Sequence, residues 1–514
     1  MYVRKKRNPS GVISVQVIDK SQGKYRVVKT VGSSSDVLEV ANLYRQGHTW
    51  ISVQQGGRDM FAEAEKGREE KHVTEHLLSN VESILLNGTQ LILNQAFQLV
   101  GFDAIEDEVF RQLVVARLCQ PSSKAGTVDY LKSHFDEDVE LHKVYRYLDR
   151  LHNTQQEDIQ RISVAHTQKV LGGKTGLVFY DVTTLYFETD YGDELRRPGY
   201  SKDGKHALPQ VVLGLLVSEG GYPLAYSIHE GNKYEGHTML PVVEGFVKKF
   251  NLQDFVIVAD SGLMNSENVK LLEAGNYKYI IGARIKNENV DVKQWILSLE
   301  KVDGSFYELG KLPGTRLIVG YSDRRAKKDA YNREKGIRRL EKAYKRGTIT
   351  KDNINKRGYN KFLELSDDIT AKINYEKVKE DERWDGFKGY ITNTLLSAES
   401  IYKEYSGLWQ VEHAFRVTKG TLELRPMFHF TEKRIKAHVC ICFVAYKVYM
   451  ELERVLKLNG INLSVDKVLN IARTITTIKV KLPVSGETLT RTMLLTQKHK
   501  SIEKLFDQYF WKNA

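Results

Sequence analysis

Two short apolar stretches of this 514-residue chain each run into an aspartate. In GLVFYDVTTLYFE, Asp181 follows four apolar or aromatic residues; in DFVIVADSG, Asp260 closes the run Val256 to Ala259. Runs of this length, rich in β-branched residues and bounded by glycine or polar residues, read as buried strands. An aspartate inside such a strand is costly to bury unless it is paired or bound to a metal. Any fold that buries these two strands must therefore find a partner for each acid.

A third acid lies far downstream, in YSGLWQVEHAFRVTKG. This stretch, Tyr405 to Gly420, holds no proline and reads as one helix with a modest glycine stop signal. At 3.6 residues per turn, Tyr405, Leu408, Glu412, Arg416 and Lys419 share a face. Taken alone, it is a solvated helix with a Glu412–Arg416 pair at i,i+4. Taken with Asp181 and Asp260, Glu412 completes a set of three hard oxygen donors, the ligand type that Mg²⁺ prefers.

The net charge of +12 hints at a polyanionic partner, and its distribution sharpens the hint. Residues 1–30 carry eight Lys/Arg against one Asp, and residues 321–361 carry fifteen against five acids, so these two segments hold the whole excess. Three cysteines, Cys119, Cys440 and Cys442, give neither a disulfide framework nor a CxxC zinc pattern and read as buried, inert thiols. The basic N-terminus lacks the apolar run of a secretory signal. The most apolar C-terminal segment, Val439 to Leu452, is interrupted by Lys447 and Glu451, so no membrane span is expected. The expectation is a soluble, intracellular protein, cytoplasmic and associated with the nucleoid.

Along the chain, residues 1–35 alternate like a basic β-hairpin turning at Ser21 to Gly23, with Arg4, Lys5 and Lys6 available to lie along DNA. Residues 36–172 read as helical and DNA-binding. They include two short amphipathic helices around Asp136 to Asp138, compatible with a helix-turn-helix presenting Lys143, Arg146 and Arg150. Residues 173–286 give three meandering strands and then helices alternating with strands. In 287–382 that rhythm stops for a basic insertion, whose block at 321–347 reads as a long exposed helix carrying Arg324, Arg325, Lys327 and Lys328 toward DNA. The sheet resumes in 383–455 with GFKGYITNT and the Glu412 helix, and 456–514 reads as helical.

These elements resemble a DDE-type insertion-sequence transposase, in the group bearing a YREK signature. Tyr405, Glu412 and Lys419 match that signature at its spacing, and Leu408 stands where its Arg would be. The Asp181 and Asp260 strands, the HEGNKYEGHT turn and the GYITNT strand carry the likeness over residues 176–452. The resemblance implies an α/β, RNase H-like mixed-sheet core with an insertion between the second Asp and the Glu. It implies that Asp181, Asp260 and Glu412 are catalytic and hold two Mg²⁺ ions, with Mn²⁺ as a substitute. It further implies end cleavage through a DNA hairpin, strand transfer, phosphate contacts from Tyr405, Lys419 and Arg416, and a homodimer that pairs two ends of double-stranded DNA. Thr183, Thr184 and Asn393 are candidates to support the acids. A nuclease without strand transfer and an inert DNA-binding descendant are the alternatives. The long gap between Asp260 and Glu412 speaks against the first, and the presence of all three acids against the second.

Overall fold

The computed structural model describes residues 1–512 except 22, 56–59, 174–175, 202–203, 205, 234–237, 251–254, 264–265, 351–352, 356–357, 366–370, 425–426 and 483–484. The centre of the expected N-terminal turn, part of the loop at 190–209 and part of the HEGNKYEGHT stretch thus lie outside the described residues.

The chain divides into two compact units. The smaller comprises Met1–Ile84 and Thr477–Met493. The expected hairpin is there, Ile13–Asp19 paired antiparallel with Arg26–Ser34, and Tyr2–Arg7 adds a third strand to make an antiparallel meander. Val3, Val15 and Val17 bury one face against Val40 and Ile51 of the helix Val37–Gln54. That helix is started by Asp36, whose carboxylate accepts the Leu38 N–H at 2.9 Å. The expectation of a purely helical C-terminal region fails: Thr476–Lys481 and Thr488–Met493 are strands, sheeted with Val81–Leu85. TTIKVK and TLTRTM alternate polar and apolar residues, the period of a strand.

The larger unit is built on a mixed sheet. Its main strands are β1 (Leu177–Tyr186), β2 (Pro209–Ser218), β3 (Pro223–Glu230), β4 (Val256–Ala259), β5 (Lys278–Ala283), β6 (Phe306–Leu312), β7 (Thr315–Tyr321) and β8 (Phe387–Thr392). β1, β2 and β3 are antiparallel neighbours; β4 runs parallel to β1 and β5 parallel to β4. The spatial order β3-β2-β1-β4-β5 is that of an RNase H-like core. Beyond it, β8 adds antiparallel to β5, β7 to β8 and β6 to β7. The insertion therefore does not leave the sheet, as its loss of rhythm led one to expect. Its apolar run TRLIVGY supplies β7, which buries Leu317, Ile318 and Val319.

Side chains alternate between the two faces of this sheet. Val178, Tyr180 and Val182 meet the helix α2 (Met239–Phe250) on one side, together with α3 (Ser266–Ala274). Leu177, Phe179 and Leu185 join the larger core on the other side, which is organised around α7 (Glu432–Leu458). The elements numbered between them are α4 (Asp323–Lys345), α5 (Ala398–Ser406) and α6 (Trp409–Arg416), and α1 is Gln156–Val170. The helix α7 is buried along most of its length and ends at Asn459, with Gly460 following at φ +67°. Each fully buried Val, Leu or Ile there contributes about 1.5–3 kcal/mol.

The expected helix-turn-helix pair packs its apolar side into this core through Val144, Tyr147 and Leu148. Lys143 and Arg146 remain exposed, and Arg150 pairs with Asp107. All three cysteines are free and buried, and burial pushes the Cys119 and Cys440 thiols up to about 12. Among the described residues, no helix is long and apolar enough to cross a membrane.

Candidate active site

The strand register sets the first two acids side by side. Tyr180 of β1 lies opposite Ala259 of β4, so the next residues, Asp181 and Asp260, come level on adjacent parallel strands. Phe179 and Val258, two residues earlier on each strand, both face the α7 core, so the two carboxylates leave the sheet on that same face. Asp181 is half-buried and Asp260 exposed. The Asp181 carboxylate accepts the Val182 N–H at 2.8 Å.

The third acid reaches them through a bend. Tyr405 to Gly420 is not one helix: α5 ends at Ser406, α6 begins at Trp409, and a π-helical turn covers Val417–Thr421. Gly407 sits at the break because a Cβ there would lie 2.6 Å from the Phe179 ring. The bend lets both helices rest on the sheet, and it turns Glu412 toward the aspartates. Asp181, Asp260 and Glu412 line one cleft of about 390 Å³, with Tyr405, Leu408 and Lys388. The expected Glu412–Arg416 pair is not formed; the Glu412 carboxylate has no hydrogen-bond or ion-pair partner among the described residues.

Tyr405, expected to contact phosphate, is tied to one of the acids. Its ring is buried, and its hydroxyl donates to Asp260 Oδ1 at 2.8 Å. Burial and then the adjacent Asp260 charge drive the phenol well above its usual range, so it stays a donor at any physiological pH. Gly282 of β5 makes room for it, since a Cβ there would stand 2.5 Å from the Tyr405 hydroxyl.

A family model described as a transposase DDE domain matches residues 172–447, more than half of the chain. The chain belongs to the DDE transposase family. Among solved structures, a cryo-EM structure of the piggyBac transposase synaptic complex with hairpin DNA is similar at 9% identity. The match covers 74% of this transposase and 79% of that chain, with a TM-score of 0.38. The Mos1 transposase paired-end complex with the left transposon end is similar at 11% identity over 31% and 53%, with a TM-score of 0.16. No curated protein sequence matches the transposase.

The donor chemistry of the transposase cleft fits a hard divalent cation: three carboxylates and no sulfur or imidazole ligand line it. Among the described residues, however, no three acids, histidines or cysteines are grouped tightly enough to cage an ion. Tyr405 holds one oxygen of Asp260.

The other expected residues divide by position. Arg324, Arg325 and Lys328, on the first turns of α4, line a neighbouring cleft, and Arg325 also lines a third cleft that begins at Asp260. Lys327, Arg416 and Lys419 line none of these. Arg4, Lys5 and Lys6 belong to the smaller unit, where Lys5 stacks its ammonium 4.6 Å from the Tyr44 ring and Arg4 donates to Gln16. Leu408, in the place of the signature Arg, is buried in the core and walls the cleft. Thr183 and Thr184 are buried in β1. Asn393 supports no acid. Its amide bonds the Tyr279 N–H and the Tyr277 carbonyl at 2.9 and 2.8 Å, at the end of β5 remote from Asp260.

The residue that sequence reasoning missed is Lys388 of β8, which lines all three clefts. A lysine inside the otherwise apolar FKGYIT was the available signal.

Two outcomes follow from the Tyr405 contact. Tyr405→Phe removes the only described donor to Asp260 Oδ1 and lowers DNA cutting about 10–100-fold, as loss of an orienting partner does, while the melting temperature shows the fold intact. Gly282→Ala pushes Tyr405 off Asp260 and lowers cutting at least as far, with Gly282→Ser no better. Cutting by Gly282→Ala at the wild-type rate would show that the Tyr405 contact is dispensable.

Proposed function

We propose that the transposase cuts double-stranded DNA at the ends of the element that encodes it and joins the freed ends to a target duplex. Asp181, Asp260 and Glu412 are the catalytic carboxylates of this reading. The observation that supports it is the convergence of three acids, from two adjacent strands and one bent helix, on a single cleft.

Asp181, Asp260 and Glu412 would hold Mg²⁺, or Mn²⁺ in its place. Bound there, the cations make the attacking hydroxyl more acidic and stabilise the leaving 3′ oxygen. The chain's own residues do the rest. Tyr405 fixes the orientation of Asp260 by its hydrogen bond. Glu412 presents an uncommitted carboxylate from α6. Arg324, Arg325 and Lys328 give α4 a cationic edge beside the acids, suited to the phosphates of a bound strand. Displacement at phosphorus is in line, by water for cutting and by a 3′ hydroxyl for joining, so no protein–DNA bond is needed. Two ends must be handled together, so the working form is a homodimer on DNA.

The test uses the purified full chain, the DNA that flanks its own gene, and Mg²⁺ with an EDTA control. Metal-dependent cutting at the element's ends, followed by joining to a second duplex, is the expected result. Cutting without joining would leave a nuclease, and binding without chemistry in either Mg²⁺ or Mn²⁺ would leave an inert DNA-binding protein.

A further inference from the structure

The ammonium of Lys388 is a half-buried cation that bonds no described residue. β8 lies between β7 and β5, with Lys388 opposite Gly320. Tyr390, two residues on, faces the α7 core, so Lys388 leaves the sheet on the face that carries Asp181 and Asp260. Its Nζ stands 4.2 Å from the centre of the Tyr405 ring and 5.7 Å from that of Tyr390. It makes no hydrogen bond or ion pair with any described residue, which leaves three donors unused. Asp260 and Glu412 attract it across the cleft, whereas Arg325 and burial work against its charge.

A lysine with a purely structural role would be expected to pair. Its neighbours on the same floor do so: Lys286 and Lys361 both bond Asp381, and Arg333 grips Asp385 with two bonds of 2.6 and 2.7 Å. Those contacts neutralise Lys286, Lys361 and Arg333 internally, whereas Lys388, next to the acids, has no such partner among the described residues. Half-buried donors without partners cost free energy unless a ligand satisfies them. A ligand here must offer anionic oxygen, and it must lie within reach of both the carboxylates and Lys388.

We propose that Lys388 binds the non-bridging oxygens of the phosphodiester that lies at the Asp181–Asp260–Glu412 cleft, with the Tyr405 ring as the platform beneath its ammonium. This rests on the reading of that cleft as the transposition site and adds a residue that the signature does not contain. The position also explains why one lysine borders all three clefts: it stands where a strand passing from one to another would cross the acids.

The test compares the full-length wild type with Lys388→Met and Lys388→Arg on the duplex carrying the cleavage site mapped for the wild type. Affinity is measured in EDTA over a series of salt concentrations. Lys388→Met should bind more weakly, with its log K against log salt slope reduced by about 0.9, and should cut roughly 10²-fold more slowly in Mg²⁺. Lys388→Arg should keep the slope. On a duplex whose scissile phosphate is an uncharged methylphosphonate, wild type and Lys388→Met should bind alike. Unchanged affinity and slope in Lys388→Met, or a loss that persists in full on the methylphosphonate duplex, would overturn the assignment. A wild type that cuts while Lys388→Met matches it overturns Lys388 alone. A wild type that neither binds nor cuts overturns the reading of the whole cleft.

Discussion

Asp181→Asn should reduce DNA cutting by roughly 10³-fold or more, the scale of losing a group that stabilises transition-state charge. Binding to the same duplex should hold at the wild-type level. The substitution keeps the shape of the side chain and leaves an oxygen to accept the Val182 N–H. What disappears is one negative charge at the level of Asp260. Gel assays of cutting in Mg²⁺, run beside fluorescence anisotropy of the same labelled duplex in EDTA, separate the two effects. Survival of cutting would remove Asp181 from the chemistry. Loss of binding together with cutting would mean that the side chain serves the DNA interface.

The second large effect concerns stability. α7 carries Lys447 and Glu451, both without solvent exposure, through the middle of the larger core. Lys447 donates to the Ser163 carbonyl at 3.0 Å and to the Thr167 hydroxyl of α1, and Tyr222 faces its ammonium at 5.0 Å. Glu451 accepts two bonds from Arg454, at 2.8 and 2.6 Å, and has His166 of α1 at 3.4 Å. Glu451→Ala removes the buried carboxylate that Arg454 and His166 face and should destabilise the unit by about 3–5 kcal/mol, the cost of breaking a buried pair from one side. Urea unfolding followed by tryptophan fluorescence measures it, and a loss below about 1 kcal/mol, as for an exposed pair, would show that water reaches the pair.

The same cluster gives stability a pH dependence. Burial lowers Lys447 from its ordinary value of 10.5 to about 7, so the unfolded chain binds the extra proton between those values. Stability should therefore rise as pH increases from about 7 toward 10.5. Lys447→Met should flatten that rise.

The strands were legible because an aspartate at the end of a β-branched run has few places to go, and the pattern singled out Asp181, Asp260 and Glu412, which line one cleft. Side-chain direction was not legible. Tyr405 and Glu412 sit seven residues apart, two turns of a straight helix, and nothing in YSGLWQVE says that Gly407 marks a bend over Phe179 rather than a helix interior. Asn393 follows a strand that borders the site, yet it points its amide at the far end of β5. β7 was hidden by the charge of α4 that follows it: a run of five apolar or small residues is weak beside the ten cations of that helix. Lys388 was in plain view, but only a structure could show that its donors go unused.

The ladder between β7 and β8 runs from Arg316 opposite Thr392 to Tyr321 opposite Phe387. This makes the segment between the second and third acids part of the same woven fabric as the acids themselves. It cannot swing on a hinge as a lid would, because each opening would unzip a central ladder. Nor can it be grafted or deleted as a cassette: a chimera that exchanges the whole segment from β6 to α4 must bring its own pair of strands, or leave β8 with a raw edge. If α4 meets DNA as proposed, changes in DNA preference are therefore easier to reach by altering its side chains than by exchanging the module.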